Sequence, residues 1–264
     1  MPAGFRAALR LLRTDGGYHA AALTYYLIFA LFPAGALIYA LLGIFGAETA
    51  IDDVAEELDE RGFDHEYVNA ARETIKAAVA QRSDEALIVV AVSVVAAIYV
   101  ASQWVRGVRR GLDAVLERPH TPAGLSRDLR DALALVLLFS AAMLLQFAGD
   151  RIATNVFGER PLLGQGVAYL LAGIAGVCAY AYIYAFVAAP PRPPRRAVVE
   201  ASVATMVLWI AATVGFRVFA ERWPGYHASY GVFATAIVGL IWLWLTNVSV
   251  LLGGASAHEL GERR

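Results

Sequence analysis

One lysine, one cysteine and 17% charged residues in a chain of 264 leave six long stretches with no charge at all. The single Cys178 excludes an intramolecular disulfide, and its mid-span position predicts a small, buried apolar residue. His19, His65, His120, His227 and His258 are scattered, and no second histidine follows His258 at the four-residue spacing of a zinc-protease helix. A net charge of −1 and a pI near 6.5 supply no concentrated basic face, so no nucleic-acid partner is expected. No catalytic residue, metal ligand or cofactor site is predicted, and the chain does not read as an enzyme.

What the chain has in abundance is apolar length. Hydrophobic residues make up 59% and mean hydropathy is +0.55, above what a soluble core of this size needs. Residues 20–47, 86–105, 132–149, 161–191, 201–216 and 228–257 contain no Asp, Glu, Lys, Arg or His. A hydrocarbon core about 30 Å thick is crossed by roughly 20 helical residues. The short fifth stretch reaches that length if Glu200 and Arg217 snorkel to the interfaces. The predicted fold is all-α, a polytopic bundle of six transmembrane helices at about 20–46, 86–105, 132–149, 165–188, 197–220 and 230–256, forming a single membrane domain over 1–264.

Arginine placement orients it. With the N-terminus inside, cytoplasmic segments total 65 residues with 14 Lys+Arg, against 66 residues with 8 on the other side. The positive-inside rule then puts both termini in the cytoplasm of a multi-pass plasma-membrane protein. The basic first seventeen residues lack the apolar stretch of a cleavable signal peptide. They predict an interfacial helix instead: Phe5, Leu9 and Leu12 form a stripe beside Arg6, Arg10 and Arg13, which suit headgroups, before Gly16 and Gly17 break it.

Within the spans, Pro33 predicts a kink in the first helix near Phe29. Tyr25 and Tyr26 read either as interfacial belt residues or as the lining of a polar cavity. The connector from 47 to 85 carries 12 Asp+Glu against 4 Lys+Arg and predicts an acidic extracytoplasmic cap of two short amphipathic helices hinged at Gly62. The second span continues without a breaker as far as Pro119, so its helix is expected to emerge from the bilayer with Trp104 at the interface and Arg106, Arg109 and Arg110 near phosphates. Gly107 and Gly111 are a weak contact signal there, whereas Ala168, Ala172 and Gly176 form a packing ridge on the fourth span. Gln103 and Gln146 are amides expected to bond a neighbouring helix or to line a path. The run PPRPPRR at 190–196 predicts a stiff extended turn.

The stretch WPGYHASYGVFATAIVGLIWLWLTNVSVLLGGASAHEL, from Trp223 to Leu260, resembles the C-terminal signature of the YihY/BrkB membrane protein family, through Tyr230, Gly231, Trp242, Trp244, Leu245, Gly253, Glu259 and Leu260. The opening AALTYYLIFALFP is similar to that family's first helix. Where the family pattern has Gly-Ala-Glu, this chain has Gly254, Ala255 and Ser256, leaving Glu259 as the nearby carboxylate. The family has been called virulence factor BrkB and formerly ribonuclease BN. Nuclease chemistry needs clustered carboxylates or paired histidines. The only dense acidic cluster here is expected outside, away from cytoplasmic RNA.

Two functions fit these residues. In the first, Tyr25, Tyr26, Gln103, Gln146, Tyr230 and Asn247 form a mildly polar path for a lipid or other amphiphile, since spans without buried charge suit a neutral pathway better than a proton-driven pump. In the second, the same residues tie helices together in a scaffold without substrate. Membrane lipids are the expected partners; substrate identity and self-association stay open.

Overall fold

The computed structural model describes residues 3–45, 52, 55–56, 65, 68–70, 72–73, 86–120, 122–147, 161–188, 190–222 and 232–262. All regular structure among them is helical: α1 (Ala3–Arg13), α2 (Gly16–Phe45), α3 (Ala86–Val115), α4 (Leu125–Phe147), α5 (Pro161–Tyr182) ending in a wide turn (Ile183–Val187), α6 (Arg195–Arg222) and α7 (Val232–Gly261). Four of these contain segments long and apolar enough to cross a membrane: Ala91–Val115, Tyr169–Val187, Arg195–Phe219 and Ile237–Gly261. Their outer faces carry large exposed apolar side chains such as Leu170, Ile174, Val207 and Val214, a surface that suits lipid rather than water.

Contacts group the chain into two units, one of residues 1–27 and 101–264, the other of residues 28–100. In the smaller unit α2 runs on through Pro33. Of the predicted acidic cap, Ala55 and Val68 are buried as its apolar faces require, and Arg72 pairs with Asp52 at 2.5 Å. Most of that cap, Gly62 included, lies outside the described residues, as does Tyr230.

The larger unit is built from small residues and neutral hydrogen bonds, because helices already surrounded by lipid gain little from apolar contact alone. Helices α6 and α7 are joined by a reciprocal pair: the Trp209 indole donates to Thr246 at 3.1 Å, and Trp242 donates to Thr213 at 3.2 Å. The two rings meet edge to face between these bonds. Close approach of α3 and α7 uses Gly111, which receives the Leu251 side chain, and Gly254, which receives Leu112. Gly107 receives Leu23 from α2. The weak glycine signal on the second span is therefore a true contact face. On α5, Ala172 and Gly176 are buried, and Gly176 abuts Met206 of α6.

Four expectations change. Cys178 is exposed, since the outer face of a membrane helix is solvated by lipid and need not be sealed by protein. Trp104 is buried rather than interfacial, because its indole donates to Asn247 Oδ1 at 3.1 Å. The break between α1 and α2 falls at Thr14–Asp15, with Asp15 at φ 53°, and helix resumes at Gly16, where a side chain would strike Leu11. Helix α1 buries Ala7 and Leu11 and leaves Phe5 and Leu12 exposed; Arg6 and Arg10 turn to Glu259 on α7 instead of to headgroups.

Gly253 is the tightest joint. A side chain there would collide with both Thr205 Oγ1 and the Tyr184 hydroxyl, which are buried and hydrogen-bonded to each other at 3.0 Å. Gly253→Ala is expected to cost about 1–3 kcal/mol by overpacking. Gly215→Ala on the open face of α6 serves as control and leaves stability unchanged or raised. Thermal melting of the two variants in detergent checks the difference.

Candidate functional site

The polar groups of the larger unit fall into two kinds. Those in the middle are neutral and mutually satisfied. Asn247, fully buried on α7, accepts from Trp104 and donates to Thr24 Oγ1 at 3.1 Å and to the Leu243 carbonyl at 2.9 Å, tying α3, α7 and α2. Tyr184 donates to the Val250 carbonyl at 3.1 Å. Asn247 is thus a joint; Tyr25, by contrast, is exposed, with Tyr26 half-buried and edge-on to it. Gln103 is half-buried on α3, and Gln146 lies on α4 with its side chain outside the described set.

Ionic groups gather at one end, where α3 leaves its apolar stretch and α4 begins. Arg109 is buried, 2% exposed, and spends its guanidinium on three acceptors. Its Nη1 reaches Asp128 Oδ1 at 2.5 Å, Nη2 reaches Asp131 Oδ2 at 3.2 Å, and Nε donates to the Val187 carbonyl at 2.9 Å. That carbonyl is free because the wide turn ending α5 closes with the Ala188 N–H on the Ile183 carbonyl, five residues back. Arg127 takes the neighbouring Phe186 carbonyl at 2.9 Å. Cations at the negative end of a helix are favoured in any case.

Two carboxylates complete the cluster. Asp131, whose side chain is fully buried, accepts from the Tyr182 hydroxyl at 3.0 Å and from exposed Arg130 at 3.2 Å. Asp128 accepts a second guanidinium, Arg106 Nε, at 2.7 Å. Burial opposes ionisation of Asp128, but the hydrogen bonds from Arg109 and Arg106 outweigh it and hold its carboxyl below the usual range. Nearby, His120 Nδ1 lies 2.8 Å from Asp113 Oδ2.

Beside this cluster a cleft of about 180 Å³ opens, lined by Arg106, Arg109, Arg110, His120, Gly124 and Asp128. Leu125, at the start of α4, lines the cleft and is exposed, and Leu133 and Leu137 are exposed further along the same helix. Sequence reasoning took Arg106, Arg109 and Arg110 as one headgroup-facing set and did not pick out Asp128 or Asp131. The available signal was the match of two three-residue spacings, Arg106/Arg109 at the end of one apolar helix and Asp128/Asp131 at the start of the next.

Glu259 is the remaining predicted site residue. It is buried at the end of α7, paired with Arg6 and, at 2.8 Å, with Arg10. It stands one turn beyond Ser256, which donates to the Leu252 carbonyl at 2.8 Å. The signature residues thus serve as joints: Trp242 to α6, Trp244 to the Gly17 carbonyl at 3.0 Å, Gly253 to Tyr184 and Thr205, Glu259 to α1.

The family model for virulence factor BrkB matches residues 7–264. The chain belongs to this family. It is similar to a UPF0761 membrane protein of Chromohalobacter salexigens, 27% identical over 95% of this chain and 61% of the relative. A UPF0761 membrane protein of Pseudomonas aeruginosa is 26% identical over 93% of this chain and 59% of its own length. One of Aeromonas salmonicida is 24% identical over 97% of this chain and 93% of its own. The chain spans about three fifths of the length of the first two relatives. No solved structure matches it. This BrkB-family chain is an integral membrane protein, as its apolar helices require.

Two measurements probe the ionic end of the BrkB-family fold. Arg109→Ala leaves buried Asp128 with Arg106 alone and buried Asp131 with Tyr182 and surface Arg130, and is expected to lower unfolding stability by up to about 3–5 kcal/mol, with part of the loss recovered when Asp131→Ala is added; denaturant titration in micelles checks it. Asp128 has a lowered carboxyl pKa, so its stabilisation is present above the ordinary value of 3.8 and is lost as pH falls below it. The acid limb of a melting-temperature profile is accordingly flatter in Asp128→Asn than in the parent chain.

Proposed function

We propose that this BrkB-family protein is a plasma-membrane protein of six spans, α2 and α4 adding to the four helices whose described residues already form membrane-crossing segments, with both termini cytoplasmic, and that it translocates a lipid or other amphiphile. The observation that carries this reading is a polar cleft lined by Arg106, Arg110 and His120 together with the exposed apolar Leu125, at the start of a helix that goes on to expose Leu133 and Leu137. An amphiphile needs both surfaces at once: apolar wall for its tails, cationic cleft for its head. The arginine bias supports a cytoplasmic position for this end of the bundle. On this reading membrane lipids are the partners, no nucleic acid is bound and no bond is broken; the protein is not an enzyme.

One observation favours a second reading, a scaffold without substrate. Asn247, Trp104 and Thr24 satisfy one another rather than facing a path. Reconstituted vesicles separate the two. Transbilayer exchange of a fluorescent phospholipid, read by dithionite quenching, is expected to run faster with the protein than in protein-free vesicles. Equal rates would sink translocation and leave the scaffold.

A further inference from the structure

The cleft beside α3 has a composition its neighbours do not use up. Of its guanidinium groups, Arg109 is fully spent on Asp128, Asp131 and the Val187 carbonyl. Arg106 commits its Nε to Asp128 and lines the cleft. Arg110 lines the cleft, is exposed, and forms no ion pair among the described residues. His120 adds an imidazole whose Nδ1 faces Asp113. Among the described residues the one carboxylate in the lining, Asp128, is already matched by two arginines, so the described lining is cationic.

Its floor is the start of α4. Gly124, at φ 85°, has open space where a side chain would stand, so a bound group can come right up to the backbone. The first N–H groups of a helix have no intrahelical acceptor and carry the positive end of its dipole. Fork-shaped guanidinium donors fit carboxylate and phosphate alike; what adds a preference for phosphate is the start of a helix in the same lining, an arrangement that recurs at phosphate sites, and a tetrahedral oxyanion can take donors from more than one side.

We infer that this cleft binds a phosphate group, with Arg110 and Arg106 as its principal donors and the start of α4 beneath it. The inference rests on the reading above for which leaflet the cleft faces and names the polar part of the amphiphile. The phosphate has two sources of the same chemistry, an anionic phospholipid headgroup or a soluble phosphate ester.

Full-length protein in detergent, titrated with short-chain phosphatidylglycerol, short-chain phosphatidylcholine, glycerol phosphate and inorganic phosphate, tests it by calorimetry. Arg110→Gln removes a group with no internal ion pair and is expected to weaken binding about tenfold, the loss of one charge-assisted hydrogen-bonding partner. Arg110→Lys retains charge without the fork and falls between. Arg195→Gln, another exposed arginine, changes affinity less than about twofold if the site is specific rather than a general surface charge. Tighter binding of phosphatidylglycerol than of glycerol phosphate assigns a lipid headgroup; equal binding of the two assigns a soluble ester. Either supports the inference. No binding of any phosphate compound, or equal loss in Arg110→Gln and Arg195→Gln, overturns it. Binding that persists in a protein inactive in the vesicle assay overturns translocation alone.

Discussion

The larger unit depends on a guanidinium held out of water. Burying Arg109 is tolerable because acceptors meet it on three sides: a carbonyl released by the turn that ends α5, and two carboxylates from successive positions on one face of α4. The same three bonds lock the end of α3 to the start of α4 and the end of α5. Each acceptor comes from a different helix end or a different position on α4, so the buried guanidinium ties these three helix ends together. Glu259 with Arg6 and Arg10 repeats the principle more loosely, on a partly exposed edge.

Charge and position are sorted by dielectric. Ions sit where helices leave their apolar stretches and water or headgroups can screen what the protein does not. Deeper in, the ties are neutral: indole to hydroxyl between α6 and α7, amide to indole and hydroxyl among α7, α3 and α2. Glycines at 107, 111, 253 and 254 bring backbones close enough for those short side chains to reach. A Leu/Trp-rich signature looks merely apolar in one dimension. In three it is a set of helix joints, which is why it marks the family without marking a reaction.

Legibility followed from periodicity. Helices and apolar stretches could be read because each is a local property of twenty or so consecutive residues. Facing direction could not. Trp104 has the composition of an interfacial anchor but meets Asn247, 143 positions away in the chain; Cys178 has the composition of a core residue but lies on the outside. In a membrane helix both faces are apolar, so the usual contrast that tells core from surface in a soluble protein is missing. Arg109 shows the converse: three arginines within five positions look equivalent until the partner helix supplies carboxylates to Arg106 and Arg109 and leaves Arg110 at a cleft.

Sequence alone determined that the chain is helical, apolar enough for lipid, asymmetric in its arginines and a member of the BrkB family, because each of these is set by composition and order along the chain. Tertiary structure alone decided which polar groups are spent on one another and which are left facing a cleft, because hydrogen bonds and ion pairs are made across helices whose partners lie tens to hundreds of residues apart. Asn247 and Arg110 looked equally available in the sequence; packing closed the first and left the second open.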